Sequence, residues 1–91
     1  MEILTTQRLM YLNRRKLEIE ELKQGLKRGD FDVAMNIGHR LKGNGETFGF
    51  PAIGKIGVVL EQAAKSKDKE KLQETIDELS ENVEENLKKI H

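Results

Sequence analysis

The chain has no cysteine and no tryptophan, and only one proline, one tyrosine and three phenylalanines in 91 residues. Without cysteine there is neither a disulfide framework nor a thiolate metal site. One proline and few β-branched clusters, against 35% charged residues, point to an all-helical chain. Charge of one sign is lacking as well. Sixteen Lys+Arg balance sixteen Asp+Glu, so no net basic field attracts nucleic acid or an anionic membrane. No apolar run approaches the roughly 20 residues of a membrane span, and the N-terminus lacks the layout of a secretory signal. The expectation is a soluble, cytoplasmic protein, one small domain over residues 1–91.

Apolar residues recur at helical spacing in four segments. In the first, from about Thr6 to Arg28, the stripe is Leu9, Leu12, Ile19, Leu22 and Leu26. Thr5 or Thr6 suits its N-cap, and Gly29 its C-terminal stop. Asp30 caps a second helix, with Phe31, Ala34, Ile37, Leu41 and Phe48 inward and an end expected at Gly49. Pro51 fits the first turn of a third, lined by Ile53, Ile56, Gly57, Leu60, Ala63 and Ala64. After the polar turn Lys65–Asp68, a fourth carries Leu72, Ile76, Leu79, Val83, Leu87 and Ile90. Short connections force antiparallel neighbours, so the expected fold is an all-α, up-down-up-down four-helix bundle.

Glycine is concentrated where a helix should exclude it. Gly38, Gly43 and Gly45 surround His39, each costing about 1 kcal/mol relative to alanine inside a helix. On a helical wheel, Ala34, Ile37, Gly38, Leu41, Gly45 and Phe48 cluster on one side. His39 falls roughly 150° from their centre and faces outward. Gly38 and Gly45 lie on the core face, where a neighbouring helix can approach. Gly43 shares the outer face with Met35, His39, Lys42 and Glu46, where packing does not explain it. Its effect there is to leave room beside the imidazole, and Lys42 brings an ammonium to the same place. A neutral imidazole is a nucleophile near pH 7, and a phosphoryl group placed on it needs room and positive charge.

The run His39-Arg40-Leu41-Lys42-Gly43-Asn44-Gly45-Glu46-Thr47-Phe48-Gly49 resembles the signature of histidine-containing phosphotransfer (HPt) domains. Tyr11-Leu12-Asn13-Arg14-Arg15, Gly29-Asp30-Phe31 and Leu60-Glu61 are similar to their flanking elements, so the resemblance covers most of the chain, at least from Tyr11 to about Asp68. It implies a phosphorelay intermediate of a two-component system: His39 as phosphoacceptor, Lys42 as phosphate-stabilising cation and Gly43 as the space-making position. The implied partners are a response-regulator receiver domain and a hybrid histidine kinase. No cofactor is implied for this chain, any magnesium belonging to the receiver, and a monomer is the family expectation. Asn44 and Glu46 depart from the commonest pattern, and Glu46 brings a carboxylate near the site.

Tyr11, Met35, Arg40, Glu46 and Val58 are further candidates for partner docking, although edge-of-core packing competes for Tyr11, Met35 and Val58. Arg14, Arg15 and Arg40 suit an acidic partner surface, while a solvated helix face is the default for such charges. His39 and Glu46 stand two turns apart, too far for shared metal coordination. His91 has no partner in sequence. No nucleotide-binding loop is visible, so the chain reads as a phosphoryl carrier rather than an enzyme. The competing reading is a helical interaction module, a degenerate HPt fold that binds a signalling partner without chemistry.

Overall fold

The computed structural model describes residues 4–90. Within them the chain forms α1 (Thr5–Arg28), α2 (Phe31–Asn44), α3 (Pro51–Lys65) and α4 (Lys69–Lys89), with no strand. Local chemistry sets most of the boundaries. Gly29 closes α1 in the left-handed region (φ 74°), its N–H reaching back to the carbonyls of Gly25 and Leu26. Asp30 caps α2 by accepting from the Asp32 N–H at 3.1 Å, and Asp68 caps α4 by accepting from the Lys71 N–H at 3.0 Å. Pro51 opens α3.

Side-chain pairs fix the directions. Tyr11 meets Asn44, Glu18 meets Arg40, and Gly25 meets Val33, so α1 and α2 run antiparallel. Gly38 faces Gly57 and Gly45 faces Gly54, so α3 returns along α2. Helix α4 follows a turn at Ser66–Asp68 and covers both α1 and α3. Leu12, Leu22, Leu41, Ile53, Leu60, Ile76, Leu79 and Val83 fill the centre and are almost wholly buried. The expected stripes of α2, α3 and α4 are therefore the core, with Phe31, Phe48, Leu87 and Ile90 only partly buried at its margins.

Three local expectations are corrected. Helix α2 stops at Asn44, and residues 45–49 form turns instead of a further helical stretch. The Phe50 N–H bonds the Gly45 carbonyl at 2.8 Å, and Gly49 takes φ 88°, a left-handed conformation that closes this turn and aims the chain at Pro51. Thr5 is already helical, and Leu4 occupies the cap position, its N–H bonded to the Gln7 side chain. Leu9 is 39% exposed. The inner face of α1 is instead completed by Tyr11, Arg15 and Glu18, because a buried ion pair and an aromatic stack take the place of an aliphatic residue.

The glycines sort as the wheel predicts. A Cβ built on Gly38 would stand 2.7 Å from the Glu61 N and 2.8 Å from the Gly57 O, both backbone atoms of α3. A Cβ built on Gly43 meets nothing within 4 Å. Gly38→Ala therefore destabilises the bundle, since overpacking of about 1–3 kcal/mol exceeds the gain in helix propensity. Gly43→Ala stabilises it by up to about 1 kcal/mol. Chemical denaturation of the two variants checks the opposite signs.

Candidate functional site

On the outer face of α2 the His39 side chain is 69% exposed, as expected. The ring is nevertheless held. Its Nδ1 lies 3.0 Å from Glu61 Oε2, and Lys42 Nζ donates to Glu61 Oε1 at 3.0 Å. One carboxylate on α3 thus bridges the imidazole and the ammonium, with only 10% of its own side chain exposed. A carboxylate can only accept, so Nδ1 carries the ring proton and the Nε2 lone pair is left for chemistry. The open side at Gly43 lies one helical turn further along. Met35, Asn36, Arg40 and Glu61 line a shallow depression with His39.

Glu61 is not among the residues expected at the site. Its signal lies in the sequence all the same, since Gly54, Gly57 and Glu61 share one face of α3 at spacings of three and four. The backbone contact at Gly38 and Gly57 brings that face against α2 and carries Glu61 beneath His39. Lys42 consequently stands paired with a carboxylate, a partner the sequence pattern does not indicate. Lys42 donating to Glu61, and His39 behind it, hold the Glu61 carboxyl below the ordinary glutamate range, against a desolvation that acts in the opposite direction.

Beside this bridge lies a second charged group. Glu18, buried on α1, meets Arg15 at 2.6 Å and Arg40 at 3.5 Å. Arg15 is 4% exposed and lies over the Tyr11 ring, 4.2 Å from its centroid. This overturns its default as a solvated surface charge. Tyr11 itself is 6% exposed, stacked on Phe48 and Phe50, and its hydroxyl donates to Asn44 Oδ1 at 2.6 Å. Its ring packs at the edge of the core, the alternative expected for this residue, and borders a surface depression with Met10, Leu17 and Phe48. Burial pushes the Tyr11 hydroxyl above its ordinary range, partly offset by the Arg15 guanidinium. The stack ties the α2–α3 turn to α1.

The remaining candidates divide by place. Met35 is half-buried in the depression with His39, and Arg40 stands exposed beside it. Glu46 and half-buried Val58 line a neighbouring depression with Lys42, Pro51, Gly54 and Lys55. Glu46 makes no ion pair with Lys42, whose ammonium is turned to Glu61. Among the described residues no three His, Asp or Glu side chains gather to hold a metal ion, and no helix is long and apolar enough to cross a membrane. His91 lies outside the described residues.

A family model of the Hpt domain matches residues 10–88, which takes in the whole site and also α4 as far as Lys88. The match contains the stretch from Tyr11 to Asp68 that the sequence resemblance takes in at the least. No curated protein and no solved structure matches the chain.

Because the Glu61 carboxyl is held low, folding stability depends on its charge. The native state binds this proton more weakly than the unfolded chain, so the contribution is fully present above the ordinary glutamate range and is lost as pH falls through and below it. Glu61→Gln should flatten that part of the stability profile relative to wild type. Urea midpoints measured from neutral to acid pH check the difference in slope.

Proposed function

The chain belongs to the Hpt domain family, and on that premise we propose that it is the carrier of a two-component phosphorelay with His39 as its phosphoacceptor. Hpt domains are histidine phosphotransfer modules that work with receiver domains and kinases. In this reading the donor is the phosphorylated aspartate of a receiver domain or a hybrid histidine kinase, and the acceptor is a response regulator in the cytoplasm. The Nε2 lone pair attacks phosphorus in line. The P–Nε2 bond forms as the P–O bond to the aspartate breaks, and the electron pair returns to the carboxylate. Handing the group on runs the same exchange towards the next aspartate.

The observation that carries this reading is an exposed imidazole anchored through Nδ1, with open space at Gly43 on the same face. Anchoring fixes the ring without occupying Nε2. The empty position at Gly43 leaves room for a tetrahedral group, and the Lys42 ammonium stands close enough to leave Glu61 and meet phosphate oxygens. Arg40, Met35, Glu46 and Val58 surround the acceptor on surfaces a docking receiver would cover. Magnesium, where the transfer uses it, belongs to the receiver's side of the complex.

A second reading, a helical module that binds its partner without phosphotransfer, is favoured by one observation. The Lys42 ammonium is already neutralised by Glu61. That module would bind a receiver domain equally well with His39→Ala.

Incubation with a receiver domain phosphorylated on aspartate should transfer acid-labile label to the wild-type chain and none to His39→Gln. Label that survives this substitution would refute the assignment of His39. Gly43→Leu should keep or slightly raise the unfolding midpoint while transfer slows, because a leucine there fills the space beside Nε2. Transfer at the wild-type rate would remove the steric role.

A further inference from the structure

We infer that Glu61 is a positioning residue that also keeps phosphorylated His39 ready to give up its phosphoryl group. The inference rests on the phosphoacceptor role of His39 and adds a regulator of that site. When the P–Nε2 bond breaks, its electron pair stays on Nε2. With a proton held on Nδ1 the leaving group is a neutral imidazole. Without it the leaving group is imidazolate, a strong base that departs poorly. The incoming oxygen, from a carboxylate or from water, forms the new P–O bond, and the Nδ1 proton remains where it is.

The carboxylate acts on this step in three ways that share one sign. Its Oε2 accepts from Nδ1 at 3.0 Å and so favours the form that bears the proton. Its Oε1 holds the Lys42 ammonium at 3.0 Å, and the phosphoryl group must compete for that cation. Its negative charge, on the far side of a small ring, also repels the anionic phosphoryl group. Each makes phosphohistidine shorter-lived and more willing to transfer. A neutral amide in the same place would keep a hydrogen bond to Nδ1 and lose all three charge effects.

The geometry is supplied by backbone contact. Glu61 lies one turn beyond Gly57, whose carbonyl approaches Gly38, and the Glu61 N itself adjoins Gly38. The charged groups around the ring are Lys42 and Arg40 on α2, Glu61 on α3 with Lys65 acting on it at longer range, and Glu18 on α1. Arg40 is shared with Glu18, which already pairs with Arg15. Glu61 is the carboxylate in contact with the imidazole.

The test needs no protein partner. Wild type and Glu61→Gln are phosphorylated with potassium phosphoramidate, and loss of the His39 adduct is followed by phosphorus NMR across acid to mildly alkaline pH. The phosphohistidine of Glu61→Gln should last about tenfold longer at neutral pH, its decay curve displaced by about one unit towards acid. Glu61→Ala, which leaves no acceptor at Nδ1, should shift in the same direction. Superimposable curves, a shorter lifetime in the variants, or no adduct on His39 in any of the three proteins would overturn the inference. A merely structural Glu61 would not move the pH profile. Failure of receiver-to-His39 transfer alongside a shifted curve would refute the phosphorelay reading and leave the chemistry of Glu61 standing.

Discussion

The structure depends on one close approach, the contact of α2 and α3 through Gly38, Gly57, Gly45 and Gly54. Helices with ordinary side chains lie some 8–10 Å apart, and only missing Cβ atoms let backbones come nearer. Here a Cβ on Gly57 would sit 2.7 Å from the Gly38 carbonyl, and one on Gly38 would sit 2.7 Å from the Glu61 N. Gly38, Gly54 and Gly57 are each unfavourable within their own helices, while Gly45 caps the end of α2. Together they set the register that carries Glu61 from α3 beneath the outer face of α2.

That register turns an exposed histidine into an oriented one. A surface imidazole alone samples both tautomers and many rotamers. Tied at Nδ1, it presents Nε2 outward in one orientation while remaining 69% exposed. The same carboxylate holds Lys42, so nucleophile and cation are arranged by a single group from a neighbouring helix. On the other flank, the Arg15–Glu18–Arg40 ion pairs and the Tyr11 stack with Phe48 and Phe50 join α1 to α2 and to the turn that follows it. A helix pinned on both flanks is a rigid mount, which suits a group that must meet a second protein in line.

Much of this is legible in the sequence because helical periodicity is strong in α2, α3 and α4. The outward place of His39, the empty position at Gly43 and the inward Gly38 and Gly45 all follow from 100° per residue. What the wheel does not contain is the partner helix. It places Lys42 beside His39 but says nothing of Glu61, whose role depends on how α2 and α3 slide against each other. The same limit misplaces Arg15, which reads as a solvated charge until its stacking on Tyr11 and its pairing with Glu18 account for its burial, and it leaves Tyr11 undecided between docking and edge-of-core packing. Periodicity also carries α2 too far, because Phe48 keeps the apolar spacing of a helix while standing in the turn, held by Tyr11.

The central claim is that His39 reacts through Nε2 because Glu61 fixes the proton on Nδ1. Nitrogen-15 NMR of the imidazole, recorded where the ring is neutral, reads the tautomer directly. The account predicts a protonated Nδ1 and an unprotonated Nε2, the reverse of the preference of free histidine, and reversion to that preference in Glu61→Ala. A wild-type ring with its proton mainly on Nε2 would contradict it.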